Sequence, residues 1–218
     1  MKAILAIDQG TTSTRAIAFS IQGKKLYTSQ LEFKQYFPKN GWVEHDPEEI
    51  WKKTKNTLLD VIYKAKKLKG KVLTIGITNQ RETTILWNKK TGKVVYKAIV
   101  WQDRRTEDFC KKLRNQNRET SIFNKTGLLI DPYFSATKIK WIFDNVKKTK
   151  INLKNNDLLF GTIDTWLLWN LTEGKSHLTD ITNASRTMIF DPKKEEWSSD
   201  MLKIFGISKK ILPEVVEN

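Results

Sequence analysis

Two apolar runs flanking Asp8-Gln9-Gly10-Thr11-Thr12-Ser13-Thr14-Arg15 set the pattern at the start of the chain. Both are too short and too β-branched for helices, and the turn between them holds one glycine and four consecutive hydroxyl side chains, so the stretch Ile4–Phe19 reads as a β-hairpin. Strands are expected over 3–8, 14–20 and 25–33, an antiparallel meander turned at Gly10 and Gly23. Asn40-Gly41 marks another turn. Asp46-Pro47-Glu48-Glu49 is a helix start, with Asp as N-cap, Pro at N1 and Glu at N3. From there Ile50, Trp51, Thr54, Leu58, Val61, Ile62 and Ala65 recur at helical spacing up to a stop at Gly70. Val72 to Thr78 reads as a buried strand by its apolar content, and Thr83 to Trp87 as another. Thr91-Gly92 then turns the chain into a strand from Val94 to Val100. Helices are expected at 104–117 and 135–147, and Asp164 as the N-cap of a helix carrying Trp166, Leu167 and Trp169. Met201 to Phe205 closes the readable structure.

Three strands, a helix, a strand and further α/β material is the order of a ribonuclease-H-like domain, the fold of actin-like ATPases, with a mixed twisted sheet flanked by helices. At 218 residues the chain can form one large domain or two small ones. The polar stretch Lys147–Asn156 reads as an exposed loop or a linker, and the apolar segments beyond it favour one continuous domain over 1–218. Neither a repeat nor a low-complexity segment is visible.

Composition narrows the classes. A hydrophobic fraction of 39 % with eight tryptophans marks a folded chain. No run has the apolar length of a membrane span, and no secretory signal precedes the first strand. The single cysteine, Cys110, cannot form an internal disulfide and fits a reducing, cytoplasmic setting. His45 and His177 are far apart without Cys or His neighbours, which argues against zinc. The net charge of +15 raises nucleic acid as a partner. However, lysine far outnumbers arginine, and it comes in dispersed pairs: Lys24-Lys25, Lys52-Lys53, Lys66-Lys67, Lys147-Lys148, Lys193-Lys194 and Lys209-Lys210. Such pairs fit solvated faces better than a base-reading groove.

Four short strings carry candidate chemistry. The Gly10 loop offers backbone N–H groups and hydroxyls to an anion, and Asp8 at the strand end suits Mg²⁺. With Arg15 this reads as a phosphate–metal cradle or as an ordinary surface turn; it is not a P-loop. Arg81-Glu82 places a fork of donors beside an acceptor, which grips the hydroxyls of a small polyol or forms a surface ion pair. Trp101 and Tyr133 stand beside polar clusters, as core aromatics or as a ligand wall.

Taken together, Asp8-Gln-Gly-Thr-Thr-Ser, Gly41-Trp-Val-Glu-His-Asp-Pro, Gly76-Ile-Thr-Asn-Gln-Arg-Glu-Thr-Thr, Trp101-Gln-Asp-Arg-Arg-Thr, Thr126-Gly-Leu-Leu-Ile-Asp-Pro-Tyr-Phe-Ser, Phe160-Gly-Thr-Ile-Asp-Thr-Trp and Thr182-Asn-Ala-Ser-Arg-Thr-Met resemble a known family. It is the sugar-kinase family of glycerol, xylulose, gluconate and ribulose kinases, and Tyr133–Asn145 is similar to a string shared across it. The Gln-Arg-Glu-Thr-Thr segment points to the glycerol kinases within it. That resemblance implies that Arg81, Glu82, Trp101 and Tyr133 hold glycerol: Arg and Glu bind hydroxyls, and the aromatics wall the carbons. It implies that Thr11, Thr12, Ser13 and Arg15 face the phosphates of ATP and that Asp8 lies near Mg²⁺.

The same resemblance implies a second, C-terminal domain, in this polypeptide or supplied by another chain. That half carries the catalytic aspartate and most of the adenosine pocket, so this chain alone is expected to be inactive, and no catalytic residue is assigned within it. Self-association is left open. Three other readings remain: another sugar kinase of the same family, a non-catalytic polyol- and phosphate-binding module, and a metal-dependent nuclease, which would need further acids converging on Asp8. The polyol reading makes a spatial demand, that Arg81, Glu82, Trp101 and Tyr133 converge, partly exposed, on one concave face.

Overall fold

The first three strands form close to their expected limits in the computed structural model, which describes residues 2–67 and 71–217. They are β1 (Lys2–Gln9), β2 (Ser13–Ser20) and β3 (Lys25–Glu32), followed by helix α1 (Pro47–Lys67) and strand β4 (Lys71–Asn79). The sheet order is β3-β2-β1-β4: β1 pairs antiparallel with β2, and parallel with β4. A mixed sheet of this order, with the opening hairpin central, is the ribonuclease-H-like arrangement. The chain divides into two compact units, Met1–Gln35 with Asp46–Gln80, and Tyr36–His45 with Arg81–Asn218, where the sequence suggested one continuous domain.

In the first unit the two-residue period of the strands decides what is buried. Ala3, Leu5 and Ile7 of β1 and Ala16 and Ala18 of β2 have no exposure, and they face α1. The helix answers with Ile50, Thr54, Leu58, Val61 and Ala65, a stripe at spacings of three and four. Each large apolar side chain so buried contributes roughly 1.5–3 kcal/mol. One polar tie runs through this core, Thr14 Oγ1 to Thr54 Oγ1 at 2.9 Å. Asp46 caps the helix as expected, its Oδ1 accepting from the backbone N–H of Glu48 at 3.0 Å and of Glu49 at 3.4 Å. The helix stop read at Gly70 lies outside the described residues. Strand β4 departs from expectation: Leu73 is 46 % exposed and Ile75 37 %. It is one of the two edges of the sheet among the described residues, and α1 packs chiefly over β2 and β3.

The second unit is built around β5 (Ile85–Asn88), α2 (Glu107–Asn115), α3 (Glu119–Thr126), α4 (Ser135–Asn145), α5 (Lys147–Lys154), β6 (Leu158–Gly161) and α6 (Ile163–Leu171). β5 and β6 pair antiparallel, and Leu86, Ile99, Cys110, Ile122, Ile139, Phe160, Met188 and Phe205 share its core. Cys110 is buried, and that burial pushes its thiol up to about 12, the behaviour of a packing residue.

Several sequence expectations need correcting here. The strand expected over 94–100 shrinks to Ala98–Ile99, paired with Glu44–His45, plus isolated bridges at Val94 and Ile99. The helix expected from 104 starts at Glu107, because the Asp103 carboxylate takes the Arg105 N–H at 2.8 Å and turns the chain first. Lys147–Asn156 is mostly helix α5 rather than loop, restarted after the extended residue Val146 and anchored by buried Thr149. Helix α3 was not anticipated; Gly127, with φ of 70°, ends it in the left-handed region. Finally, Thr162 occupies the N-cap position of α6. Asp164 lies inside the first turn, accepting from the hydroxyls of Thr162 and, at 2.6 Å, Thr179. Of the twelve paired lysines, all but Lys53 are exposed, as a solvated face requires.

Two measurements follow. Asp46→Ala should lower the unfolding free energy by about 1 kcal/mol, read as a shift in urea midpoint at unchanged slope. Burial raises Asp164 from 3.8 to about 6, so the folded state holds a proton there that the unfolded state releases. Stability supplied by that site is therefore present below about pH 4 and is lost as pH rises toward 6. Relative to Asp164→Asn, the wild-type chain should lose on the order of 3 kcal/mol across that window and then level off.

Candidate functional site

The candidate polyol residues all belong to the second unit, and its tightest backbone turn presents the key carboxylate. Thr83 donates its N–H to the carbonyl of Arg81 at 2.7 Å, with Glu82 between them at a φ of 62°. A non-glycine residue in the left-handed region costs about 1–3 kcal/mol and persists only where its surroundings impose it. Here the Ser135 hydroxyl (3.1 Å) and the Thr84 hydroxyl (3.3 Å) both donate to the Glu82 carbonyl. The Glu82 side chain is 2 % exposed, not partly open as the sequence reading expected, and its Oε1 accepts from Arg186 Nε at 2.7 Å. The neighbouring Arg81 is exposed and has no ion pair among the described residues.

Arg186 continues the site. Its guanidinium lies 5.6 Å from the ring centroid of Tyr133 and 5.1 Å from that of Phe134. Tyr133 in turn meets Trp101 at 5.4 Å. Glu82, Arg186, Tyr133 and Trp101 therefore form one connected row, with Arg81 adjoining it through the chain. Tyr133 and Trp101 are half-buried, and Arg186 and Tyr133 line an open cavity of about 560 Å³ with Arg104, Leu128, Asp131 and Phe134.

Two buried basic side chains hold the loops that carry the aromatics. Lys138 has no exposure and donates to the carbonyls of Pro132 (2.8 Å), Tyr133 (2.5 Å) and Phe134 (3.2 Å), fixing the turn before α4. Burial pulls its pKa down to about 7, against the attraction of Asp103 and Glu82. Arg105, four residues after Trp101, has a fully buried side chain bonded at 2.8 Å to both Glu44 and Asp103. The Trp42 ring stacks 3.8 Å from its guanidinium, and the Trp141 ring is 4.7 Å away. Asp103 Oδ2 also accepts from the Val43 N–H at 2.6 Å. Arg186 and Lys138 were visible only as members of the Thr182–Met188 and Tyr133–Asn145 strings; Arg105 was visible only inside the Trp101 string.

In the first unit, Asp8 and Arg15 face each other across β1 and β2 in register, with Nη1 3.8 Å from Oδ2 and both side chains more than 40 % exposed. Arg15 Nε donates to Gln30 (2.9 Å), and Gln30 donates to the Ser13 hydroxyl (3.1 Å). Gly10 N–H closes the loop onto the Ser13 carbonyl at 2.9 Å, leaving Thr12 exposed and Thr11 and Ser13 half-buried. One exposed carboxylate beside a hydroxyl-rich loop suits a hard divalent ion that keeps most of its waters and takes phosphate oxygens. Among the described residues, no three His, Cys, Asp or Glu side chains are grouped to hold a metal, so the acids that a nuclease would need around Asp8 do not assemble there. Nor is any helix long and apolar enough to cross a membrane among those residues.

Residues 3–218 match the FGGY family of carbohydrate kinases, N-terminal domain. The chain belongs to that family. This FGGY domain is 53 % identical over 214 residues to the glycerol kinase of Parabacteroides distasonis, and 54 % over 218 residues to that of Halothermothrix orenii. In each case 98 % of the chain covers only 43 % of the relative, so the domain spans less than half the length of those proteins. Among solved structures, Plasmodium falciparum glycerol kinase with ADP superposes with a TM-score of 0.93 at 40 % identity. The match covers 99 % of this chain and 43 % of that one. A xylulose kinase from Lactobacillus acidophilus follows at 0.87 and 25 % identity, covering 99 % and 42 % respectively.

The Arg105 cluster generates a stability test for this FGGY domain. Arg105→Met would leave the Glu44 and Asp103 carboxylates buried without their cation, at a cost of about 3–5 kcal/mol. Urea unfolding followed by tryptophan fluorescence should register that loss. Arg104→Met, on an exposed ion pair with Glu107 and Asp131, should cost less than about 1 kcal/mol by the same measurement.

Proposed function

We propose that this chain is the glycerol-binding half of an ATP-dependent glycerol phosphotransferase, which converts glycerol and ATP to glycerol 3-phosphate and ADP once a second domain completes it. The observation that carries this reading is the row Glu82–Arg186–Tyr133–Trp101 with Arg81 beside it. A carboxylate acceptor, a guanidinium donor and a half-buried aromatic pair are the complementary surface of a three-carbon polyol. The identity to glycerol kinases supports glycerol over a longer sugar.

In this reading Arg81 donates to the polyol hydroxyls, Glu82 accepts from them, and the Trp101 and Tyr133 rings pack against the carbons. Thr11, Thr12, Ser13 and Arg15 offer hydroxyl, backbone and guanidinium donors to the nucleotide phosphates. Asp8 would hold Mg²⁺, which, when bound, neutralises charge on those phosphates. Binding and orientation are thus shared across the side chains of this sequence. The general base that takes the proton from the attacking hydroxyl belongs to the rest of the protein, in the same polypeptide or a partner chain. A cytoplasmic setting fits the chemistry, since ATP is its phosphoryl donor.

The test joins residues 1–218 to the remaining part of the Parabacteroides distasonis relative and measures ADP release with glycerol, xylulose and gluconate. The joined enzyme should turn over glycerol preferentially, and the 218-residue chain alone should not. Arg81→Ala should lower kcat/KM for glycerol about 10- to 100-fold, the worth of hydrogen bonds to a charged group. Preference for another substrate would overturn the glycerol assignment, and robust turnover by the short chain would overturn the missing base.

A further inference from the structure

We infer that Arg186 is a positioning residue of the polyol site, acting through the Glu82 carboxylate. The inference rests on the function proposed above and extends it to a residue the polyol motifs do not include.

The Glu82 carboxylate, 2 % exposed, has lost nearly all its water, and a group so desolvated needs polar partners in its place. Among the described residues its ion-pair partner is Arg186. That contact runs from Nε alone to Oε1 alone, so it holds the carboxylate by one oxygen and leaves Oε2 to accept from a ligand hydroxyl. A bidentate fork would have occupied both oxygens. The backbone of Glu82, held left-handed between Arg81 and Thr83, fixes where the side chain begins; Arg186 fixes where it ends.

The same guanidinium lies against Tyr133 and Phe134, so acceptor and apolar wall are referenced to one rigid planar group. The chain separation is large, 104 residues between Glu82 and Arg186. Arg186 itself is anchored nearby: it follows the short helix Ile181–Ala184, whose Asp180 cap accepts from the Asn183 N–H at 2.8 Å. Among seven arginines, Arg15, Arg104, Arg105, Arg114 and Arg186 have carboxylate partners, and of these carboxylates only Glu82 belongs to the candidate polyol site.

The experiment uses the joined enzyme described above, with Arg186→Met (bulk without charge) and Arg186→Lys (charge without the planar Nε donor). For Arg186→Met the glycerol KM should rise at least 10-fold while kcat stays within about threefold and the ATP KM within about twofold. Arg186→Lys should recover part of the loss, with a KM three- to fivefold above wild type. A merely structural role would lower kcat and raise both KM values together and would not be rescued in a graded way. If Arg186→Met does not fold, as judged by its melting transition, the Arg186→Lys shift in glycerol KM alone decides. A glycerol KM within twofold of wild type in the folded variant, or equal shifts in the ATP and glycerol values, overturns the role of Arg186 and leaves the glycerol kinase reading standing. A wild-type joined enzyme that phosphorylates no polyol overturns the function, and this inference with it.

Discussion

The buried guanidinium of Arg105 is the interaction on which the second unit's candidate site depends. Two carboxylates, Glu44 and Asp103, meet it at 2.8 Å, and the Trp42 and Trp141 rings lie 3.8 Å and 4.7 Å from it. Because the cation is planar and weakly hydrated, it can be stacked and hydrogen-bonded at once, which an ammonium cannot do. It joins the segment Gly41–His45, the turn after Val100 and helix α4 without any sheet hydrogen bond linking all three. Trp101 sits at the start of that turn, so its ring is aimed by a cluster it does not belong to. Lys138 does the same for Tyr133 by drawing three successive carbonyls onto one nitrogen. The site's aromatic wall is therefore set by buried side-chain donors, the Arg105 guanidinium and the Lys138 nitrogen, rather than by regular secondary structure.

This division explains which parts of the molecule could be read from sequence. β1, β2 and α1 declare themselves because each has one wet face and one dry one, and the N-cap chemistry of Asp46 is local. The second unit is read less well. The 94–100 segment is apolar enough for a strand, yet it pairs only at Ala98–Ile99 and in an isolated bridge at Val94, and beyond Val100 Asp103 and Arg105 pull the chain into a turn. α3 and α5 carry little apolar stripe, and each is fixed by a few packed residues such as Ile122 and Thr149. Asp164 resembles a cap by type, but it sits two residues past the Thr162 N-cap, buried and bonded to Thr179.

The candidate site divides along the same line. Arg81, Glu82, Trp101 and Tyr133 were found through short strings, and the last three do fall into one connected row. What no string revealed is that Glu82 is dry and paired across 104 residues. Ion pairs of that separation leave no periodic trace in sequence. Arg186 was present only as a letter within a matching segment, and its partner becomes apparent only when the second unit folds.

The open edge of β4 carries a consequence of a different kind. Nine residues of extended backbone end the sheet there, with Leu73 and Ile75 exposed and Ile4 on the neighbouring strand 37 % exposed. Such an edge is a template for strand addition between molecules, the usual starting point of aggregation. The opposing influence is colloidal: a net charge of +15, spread as paired lysines over the surface, makes copies repel one another. That repulsion is long-ranged only in dilute salt and shrinks to about 8 Å at physiological ionic strength, whereas strand pairing is short-ranged and indifferent to salt. Solubility of the chain is thus a contest between a screened force and an unscreened one.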